Sequence, residues 1–123
     1  MIEYTVRVYD NKTEWYQNGL KHRIDGPAVE WADGTNEWWL NGRRHRTDGP
    51  AVELADGSKF WYLNGELHRT NGPAVEYLNG TKEWWLHNQE YTEEDFLKAT
   101  RPATELTVAE IEQLLGYAIK VVK

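Results

Sequence analysis

A block of 23 residues recurs along the chain and constrains the fold more than any other feature of the sequence. Each copy starts with a Trp, followed by an Asn-Gly pair, a His-Arg pair and the string Asp-Gly-Pro-Ala-Val-Glu. The string is complete at 25–30 and 48–53, and it recurs at 71–76 with Asn71 in place of Asp. Because so short a unit cannot bury a core alone, neighbouring units are expected to stack. The aligned Trp residues are Trp15, Trp38, Trp61 and Trp84.

Glycines mark the turns between predicted strands. Nine of the ten glycines lie in the repeat columns, and each follows Asn or Asp. Gly adopts a positive φ without steric cost, and Asn and Asp tolerate it better than other residues. No GxGxxG spacing occurs, so these glycines do not form a dinucleotide-binding loop.

The segments between turns read as strands. Residues 27–32 and 35–40 flank Asp33-Gly34, a pattern typical of a β-hairpin. The polar segment 41–49 is interpreted as the connection between repeats, so that one repeat is one hairpin plus one loop. The predicted fold class is mainly β, an elongated antiparallel sheet of stacked hairpins with a small α/β cap at the C-terminus.

The segment 39–45, WLNGRRH, together with Ala-Asp-Gly-Ser at 55–58, resembles the MORN repeat, a family whose units have a similar length. Where that family has HGxG, this chain has HRxDGPA, as at 45–51. This variant is similar to the divergent MORN-like repeats of bacteriophage, giant-virus and bacterial proteins. The resemblance covers about residues 14–90 and implies a stacked-hairpin sheet or solenoid.

Both ends of the chain are predicted to cap the repeats. Apolar and polar residues alternate over 2–8, which indicates an edge strand in an N-terminal segment 1–13. The repeats then occupy 14–91 and the C-terminal cap 92–123. In the cap, Thr92 is expected to begin a helix that runs to about Lys98, and a capping box at 107–110 to begin a second helix that Gly116 ends. A final strand is expected over 117–122.

Composition and charge exclude several classes of protein. The chain has no Cys, which excludes disulfides, zinc fingers of the Cys type and thiol catalysis. Residues 90–113 hold seven acids against Lys98 and Arg101, so the net charge of −6 divides into −5 there and −1 elsewhere. That balance gives no basic footprint for nucleic acid. The N-terminus lacks the features of a signal peptide and no segment suits a membrane span, so a cytoplasmic protein (in the host cytoplasm for a viral one) is expected.

The repeated His and Arg residues suggest structural roles, with one alternative left open. Equivalent histidines one hairpin apart lie about 9–10 Å from each other, whereas two ligands of one zinc lie within about 4 Å. No metal or cofactor is therefore predicted for His22, His45 and His68. Each repeat Arg either rigidifies its loop by contacting the nearby Asp, or forms part of a guanidinium row that binds phosphates or acids. In the middle repeat Arg43, Arg44 and Arg46 are expected to cluster around His45.

Paired aromatic residues supply the candidate binding surface. Adjacent strand residues point to opposite faces, and the Trp column shares its parity with Leu40, Leu63 and Leu86, so we expect the Trp column to be core. The second column then forms an aromatic ladder, which either the caps cover or a partner contacts. Tyr, Trp and Arg dominate protein-binding hot spots. The candidate partner-binding residues are Tyr16, Trp39, Tyr62, Trp85, Arg43, Arg44, Arg46 and Arg69.

These features favour a non-catalytic protein-binding repeat module. Candidate acids such as Glu53 recur in every repeat, whereas an active site needs one asymmetric constellation, so no enzyme is predicted. The resemblance implies a small phage or mobile-element factor that binds and inhibits a host defence or toxin protein. The alternative is an intracellular protein that uses the aromatic ladder to bind a nucleotide, a sugar or a quaternary ammonium. The spacing from Asp33-Gly34 to Trp38-Trp39 also resembles choline- and glucan-binding hairpins. Homo-oligomers through exposed sheet edges remain possible.

Overall fold

The protein is mainly β, with two short helices near its C-terminus. A computed structural model describes residues 3–101 and 107–116. The strands are short because a turn interrupts the chain every few residues. They are β1 (Thr5–Val8), β2 (Lys12–Gln17), β3 (Leu20–Lys21), β4 (Val29–Trp31), β5 (Asn36–Glu37), β6 (Trp39–Leu40), β7 (Arg43–Arg44), β8 (Val52–Glu53), β9 (Lys59–Phe60), β10 (Tyr62–Leu63), β11 (Glu66–Leu67), β12 (Val75–Glu76), β13 (Lys82–Leu86) and β14 (Gln89–Tyr91).

The long sheet is open and antiparallel. Its strand order is β1-β2-β4-β5-β8-β9-β12-β13-β14, with β3 paired to β2 beside this path. The hairpin predicted at Asp33-Gly34 is confirmed, since β4 pairs with β5 through Val29↔Glu37 and Glu30↔Asn36. Strand β5 then pairs with β8 on its other side, so consecutive hairpins hydrogen-bond to each other within one sheet.

The prediction of residues 41–49 as a plain connection is wrong for its first part. Asn41 and Gly42 have φ of 50° and 78°, and they close a second hairpin in which β6 pairs with β7. Two consecutive positive φ angles give a turn whose twist matches that of the paired strands. Only the segment after β7 connects one repeat unit to the next. The equivalent pair after β10 makes the same hairpin with β11.

Both kinds of turn also hydrogen-bond to the repeat unit before them. The N–H of Gly42 donates to the carbonyl oxygen of Lys21 at 2.9 Å. The N–H of Ala55, beside an Asp-Gly turn, donates to Thr35 Oγ1 at 3.1 Å. These contacts satisfy turn groups that would otherwise need water. They recur in the bonds from Gly65 to Arg44, from Asn88 to Leu67 and from Leu78 to Ser58.

The repeat core consists of Ala-Val pairs, not of the Trp column as predicted. Ala28 and Val29 are 0% and 1% exposed, and the pairs at 51–52 and 74–75 are also buried. The Trp side chains are only half-buried. The backbone of each Trp lies against the Ala strand, as where Trp38 N–H donates to the Ala51 carbonyl at 2.7 Å. Small Ala side chains permit that approach, and the bulky indoles are displaced towards the surface.

The ends follow the prediction where they are described. Strand β1 pairs with β2 alone and forms an exposed edge. Helix α1 (Glu93–Thr100) begins after Thr92, whose Oγ1 accepts from Asp95 N–H at 3.1 Å, and it runs two residues beyond Lys98. It packs on β13 and β14 and buries Phe96. Helix α2 (Val108–Leu115) has the predicted capping box and ends at Gly116 with φ of 76°.

The strand predicted at 117–122 lies outside the described residues. Arg101, which follows α1, forms an ion pair with Glu110 of α2. Neither α1 nor α2, the helices within residues 3–101 and 107–116, has the length and apolar character to span a bilayer.

Candidate binding surface

One sheet face carries the aromatic ladder. Residues two apart on a strand, and residues directly opposite each other across a pair of strands, share a face. Trp39 therefore shares its face with Glu37, two residues earlier, and with Arg44, its register partner. We call this surface the ladder face and define it by Tyr16, Trp39, Tyr62 and Trp85.

The N-terminal part of the ladder face is covered by the chain's own cations. Two cations lie near the Trp39 ring, with Lys21 Nζ 4.7 Å and Arg44 Cζ 4.9 Å from its centroid. Its indole Nε1 donates to Glu37 Oε1 at 3.2 Å, and Arg44 Nη2 lies 3.4 Å from the same oxygen. The second oxygen of Glu37 accepts from Trp31 Nε1 at 2.7 Å. The Trp39 indole, the Glu37 carboxylate and the Arg44 guanidinium thus contact one another and fill each other's bonding capacity.

Tyr16 has a similar environment one repeat unit earlier. Its hydroxyl donates to Glu14 at 3.1 Å, and Arg7 lies 4.5 Å from its ring centroid. Burial alone would raise the pKa of Glu14, but the bond from Tyr16 and the charges of Lys12 and Lys21 outweigh it and lower that pKa. The pKa of Tyr16 is raised, first by burial and then by Glu14.

The middle part of the ladder face is apolar. Phe60 stands at the repeat position of Glu37, and Leu67 stands at that of Arg44. Leu54 is 36% exposed and Tyr77 is 38% exposed. The rings of Phe60 and Tyr77 meet edge to face, with centroids 5.8 Å apart. This part of the sheet offers exposed apolar side chains where the preceding part has ion pairs.

The last part of the ladder face is aromatic and acidic. Glu83 accepts from the Nε1 of Trp85 at 2.9 Å. Glu90 is the register partner of Trp85 on β14. Burial raises the pKa of Tyr77, and so do the Glu83 carboxylate, to which its hydroxyl bonds, and Glu90. Two carboxylates and the Tyr77 and Trp85 side chains therefore lie close together.

The opposite face carries the first Trp column, and an arginine covers Trp15, Trp38 and Trp61. Arg46 Cζ lies 3.8 Å from the ring centroid of Trp38. Its Nε donates to Asp48 at 2.9 Å, and its Nη1 donates to the Pro50 carbonyl at 3.1 Å and to Glu53 at 3.0 Å. Arg23 and Arg69 make the same set of contacts. We call this surface the Trp–Arg face and define it by Trp15, Trp38, Trp61, Arg23, Arg46 and Arg69.

The glycine beside each of these arginines leaves room for the guanidinium. A Cβ placed on Gly49 would lie 3.0 Å from Arg46 Cζ, and one on Gly72 would lie 2.9 Å from Arg69 Cζ. These contacts support the interpretation of the repeat arginines as loop supports. The side chains of Arg46 and Arg69 are each 22% exposed, so little of either remains for a partner.

The predicted cluster of Arg43, Arg44 and Arg46 is not formed. Arg44 lies on the ladder face and Arg46 covers Trp38 on the opposite face. The aliphatic part of Arg43 lies 3.7 Å from the Cβ position of Gly65, in the next Asn-Gly turn. Of the candidate residues, the four aromatic ones and Arg44 share the ladder face.

The repeat histidines act as hydrogen-bond acceptors. The Nδ1 atoms of His22 and His45 accept backbone N–H groups of Asn41 and Asn64, each at 2.9 Å. His68 accepts from the N–H of His87, and burial, together with the charge of His87, lowers its pKa. Within residues 3–101 and 107–116, no group of three His, Asp or Glu side chains is suited to hold a metal ion.

Open hollows separate successive connections on the Trp–Arg face. One of 730 Å³ lies beside Trp61 and His68, and an equivalent one of 680 Å³ lies beside Trp38 and His45. Sequence reasoning missed the ladder-face carboxylates. Their signal is the repeat column that reads Glu14, Glu37, Phe60 and Glu83, next to the ladder in the 23-residue alignment.

Comparison with protein-family models, with curated proteins and with solved structures found no match to this chain. No family is assigned on that basis, and the resemblance to MORN-like repeats stays a prediction. The functional argument therefore rests on the contacts and charges described above.

Proposed function

We propose that this chain is a MORN-like stack of hairpins that binds another protein through the ladder face, and that it acts by association rather than by catalysis. The observation that carries the proposal is the exposed apolar area at Leu54 and Tyr77, on the same face as the half-buried rings of Tyr62 and Trp85. Aromatic residues in such positions are typical of binding hot spots. An open sheet also presents them on a broad surface.

The uneven covering of the ladder supports a location for the contact. The Trp39 ring has two cations at 4.7 and 4.9 Å from its centroid, and its indole nitrogen donates to a carboxylate, so a partner would have to displace internal contacts there. The cation near Tyr62 is Arg44, whose Cζ lies 5.6 Å from the ring centroid and so is farther away than the cations near Trp39. Leu67 stands at the repeat position of Arg44, the second cation near Trp39. We therefore place the partner on the C-terminal part of the ladder face, over residues 54–90.

A small ligand is the second candidate. The 730 Å³ hollow beside Trp61 favours it, since its size falls within the range of ligand sites. Its arginines already hold Asp48, Glu53 and Glu76 within the chain, which leaves them few free donors for a phosphate. Unchanged Trp fluorescence across nucleotides, sugars and quaternary ammonium compounds would remove this candidate.

The resemblance to phage-borne MORN-like repeats adds a proposal about the partner. A small viral or mobile-element factor would bind a host defence or toxin protein and inhibit it. The suitable experiment is affinity capture from lysate of the cell in which the chain acts. The wild type is compared with the double variant L54S/Y77S and with K59S, which changes an exposed residue beside Phe60 on the opposite face.

We expect one stoichiometric protein with the wild type and with K59S, and its loss with L54S/Y77S. Circular dichroism and thermal melting of the three purified proteins establish that the variants remain folded. Equal recovery by L54S/Y77S, or recovery of no stoichiometric protein by the wild type, would contradict the proposal.

A further inference from the structure

The ladder face contains one aromatic–carboxylate site that the chain fills with its own arginine. Trp39 and Glu37 hold the guanidinium of Arg44, with 4.9 Å from Cζ to the ring centroid and 3.4 Å from Nη2 to the carboxylate. The Glu37 side chain is 12% exposed, so its charge is largely withdrawn from water. A withdrawn carboxylate needs a nearby cation or donor to offset the lost hydration. Arg44 and the two indole nitrogens supply these.

The same arrangement recurs 46 residues later, two repeat units along, with changed residues at both cation positions. Glu83 stands at the repeat position of Glu37 and likewise accepts a hydrogen bond from an indole N–H, that of Trp85. The register is also the same, because Trp85 pairs with Glu90 as Trp39 pairs with Arg44. The residues that correspond, in order, are Tyr16, Trp31, Glu37, Trp39 and Arg44 with Tyr62, Tyr77, Glu83, Trp85 and Glu90.

The second site thus keeps the rings and the carboxylate but has an acid where the first has its cation. Within residues 3–101 and 107–116, no Lys or Arg nitrogen lies within 4.0 Å of the carboxylates of Glu83 or Glu90. The flanking cation is missing too, since Leu67 stands where Lys21 covers Trp39. Two carboxylates on this part of the ladder face attract a cation.

We propose that this second site, formed by Tyr62, Tyr77, Glu83, Trp85 and Glu90, receives an arginine side chain of the partner protein. The inference rests on the proposed protein-binding function and names the group that is recognised. The partner's guanidinium takes the place that Arg44 occupies in the first site. It stacks on the Trp85 ring and donates to Glu83 and Glu90.

The chemistry of the site selects a guanidinium over other cations. Arginine stacks its planar group on aromatic rings and donates to two carboxylates at once, whereas an ammonium is a compact and strongly hydrated charge. A divalent metal prefers oxygen ligands and gains nothing from the rings. The apolar side chain of Leu67, at the repeat position of the Lys21 that covers Trp39, suits the aliphatic part of the arginine.

The inference is tested by NMR titration with three short peptides, Ac-Leu-Arg-Leu-NH2 and its Lys and citrulline counterparts. The readout is the indole N–H resonance of Trp85, assigned with W85F. We expect a saturable shift with the Arg peptide and no shift with the citrulline peptide. The Lys peptide should bind about tenfold more weakly than the Arg peptide, the loss expected when one charged contact is poorer. An equal response to citrulline and Arg would contradict the proposal, because citrulline keeps the shape and lacks the charge.

Two variants test the site itself. E83Q/E90Q removes the charge, and E90R restores the cation found in the first site, so both are expected to abolish the Arg-peptide shift. E94Q is the control for a lost acid, since Glu94 lies on the surface of α1 and pairs with Lys98. E90R is also expected to raise the melting temperature, which shows that it folds. Undiminished Arg-peptide binding by E90R would overturn the inference.

Failure here is distinguishable from failure of the proposed function. If E90R captures the same stoichiometric partner as the wild type while L54S/Y77S loses it, the ladder face binds a protein but no arginine enters this site. If the Arg peptide shifts Trp85 and the wild type self-associates with a matching dependence on Glu90, the arginine belongs to a second copy of the chain. That result would overturn the assignment to a different partner protein.

Discussion

The Trp–Arg face and the ladder face are built from alternate residues of the same repeat, yet they differ in how faithfully they repeat. On the Trp–Arg face, Arg23, Arg46 and Arg69 cover their Trp rings at 3.8, 3.8 and 3.9 Å. On the ladder face, the repeat position of Lys21 changes to Arg44, Leu67 and Glu90 in the following units. The Trp–Arg face has the same contacts in three successive units, whereas the ladder face changes from cationic through apolar to acidic.

This difference separates structural from surface roles within one chain. A residue that bonds its own loop and the adjacent strand meets the same requirements in each unit, so the same residue type recurs. A side chain that faces outwards has no such requirement and can differ between units. The two faces should therefore respond differently to substitution, and four predictions test this.

The largest effect is expected from Arg46→Ala on the Trp–Arg face. The change removes the stacking on Trp38 and the bonds to Asp48, Pro50 and Glu53. Hydrogen bonds to charged groups contribute about 1.5–3 kcal/mol each, and partial exposure reduces this, so we expect a loss of about 2–3 kcal/mol in the free energy of unfolding. Urea denaturation measures it. Arg46→Lys, which keeps the charge but not the planar fork, should recover only part of the loss.

A smaller loss is expected from Gly49→Ala. The added Cβ would lie 3.0 Å from Arg46 Cζ, so the guanidinium must move. Overpacking of this kind costs about 1–2 kcal/mol. In the Arg46→Ala background the same substitution should cost little, because the obstructing group is gone. Equal costs in the two backgrounds, measured by urea denaturation, would show that Arg46 is not the cause.

On the ladder face, Arg44→Ala should reduce the free energy of unfolding by about 1 kcal/mol, less than Arg46→Ala. Glu37 is little exposed, but it keeps two indole N–H donors after the change. The Arg44 side chain is 42% exposed, against 22% for Arg46. Loss of the guanidinium uncovers Trp39, so quenching of Trp fluorescence by acrylamide should rise. A destabilisation as large as that of Arg46→Ala would remove the distinction between the two faces.

The smallest effect is expected from pH, through His68. Its neutral Nδ1 accepts the N–H of His87, and burial followed by the charge of His87 lowers its pKa in the folded chain. A lowered folded pKa means that the unfolded chain binds the proton more tightly. The contribution is therefore present above about pH 6.5, the usual pKa of His, and is lost as the pH falls below it.

Urea denaturation at pH 7.5 and 5.5 measures this loss, with His68→Asn as the comparison. Asn keeps an acceptor oxygen and does not titrate in this range, so the variant should lose less stability between the two pH values than the wild type. The same pH dependence in both proteins would assign the effect to other groups.

The sequence alone determined the features that depend on neighbouring residues. The Asp33-Gly34 hairpin, the Thr92 and Thr107 helix starts and the end at Gly116 were predicted because each depends on local backbone conformation and capping. The ladder residues Trp39 and Tyr62 were found through the repeat, since their shared spacing implies a shared face. The MORN-like resemblance and the partner remain predictions.

Only the tertiary structure decided which groups are buried and which charges meet. The sequence favoured Trp38 as core by size and parity, but the adjacent unit brings Ala51 against its backbone and leaves its ring to Arg46. Likewise, no local pattern shows that Glu37 joins Trp31, Trp39 and Arg44, since these come from three different strands. Burial and charge pairing depend on contacts between segments that are distant in sequence. A repeat period indicates which units are neighbours, but not which side chains meet.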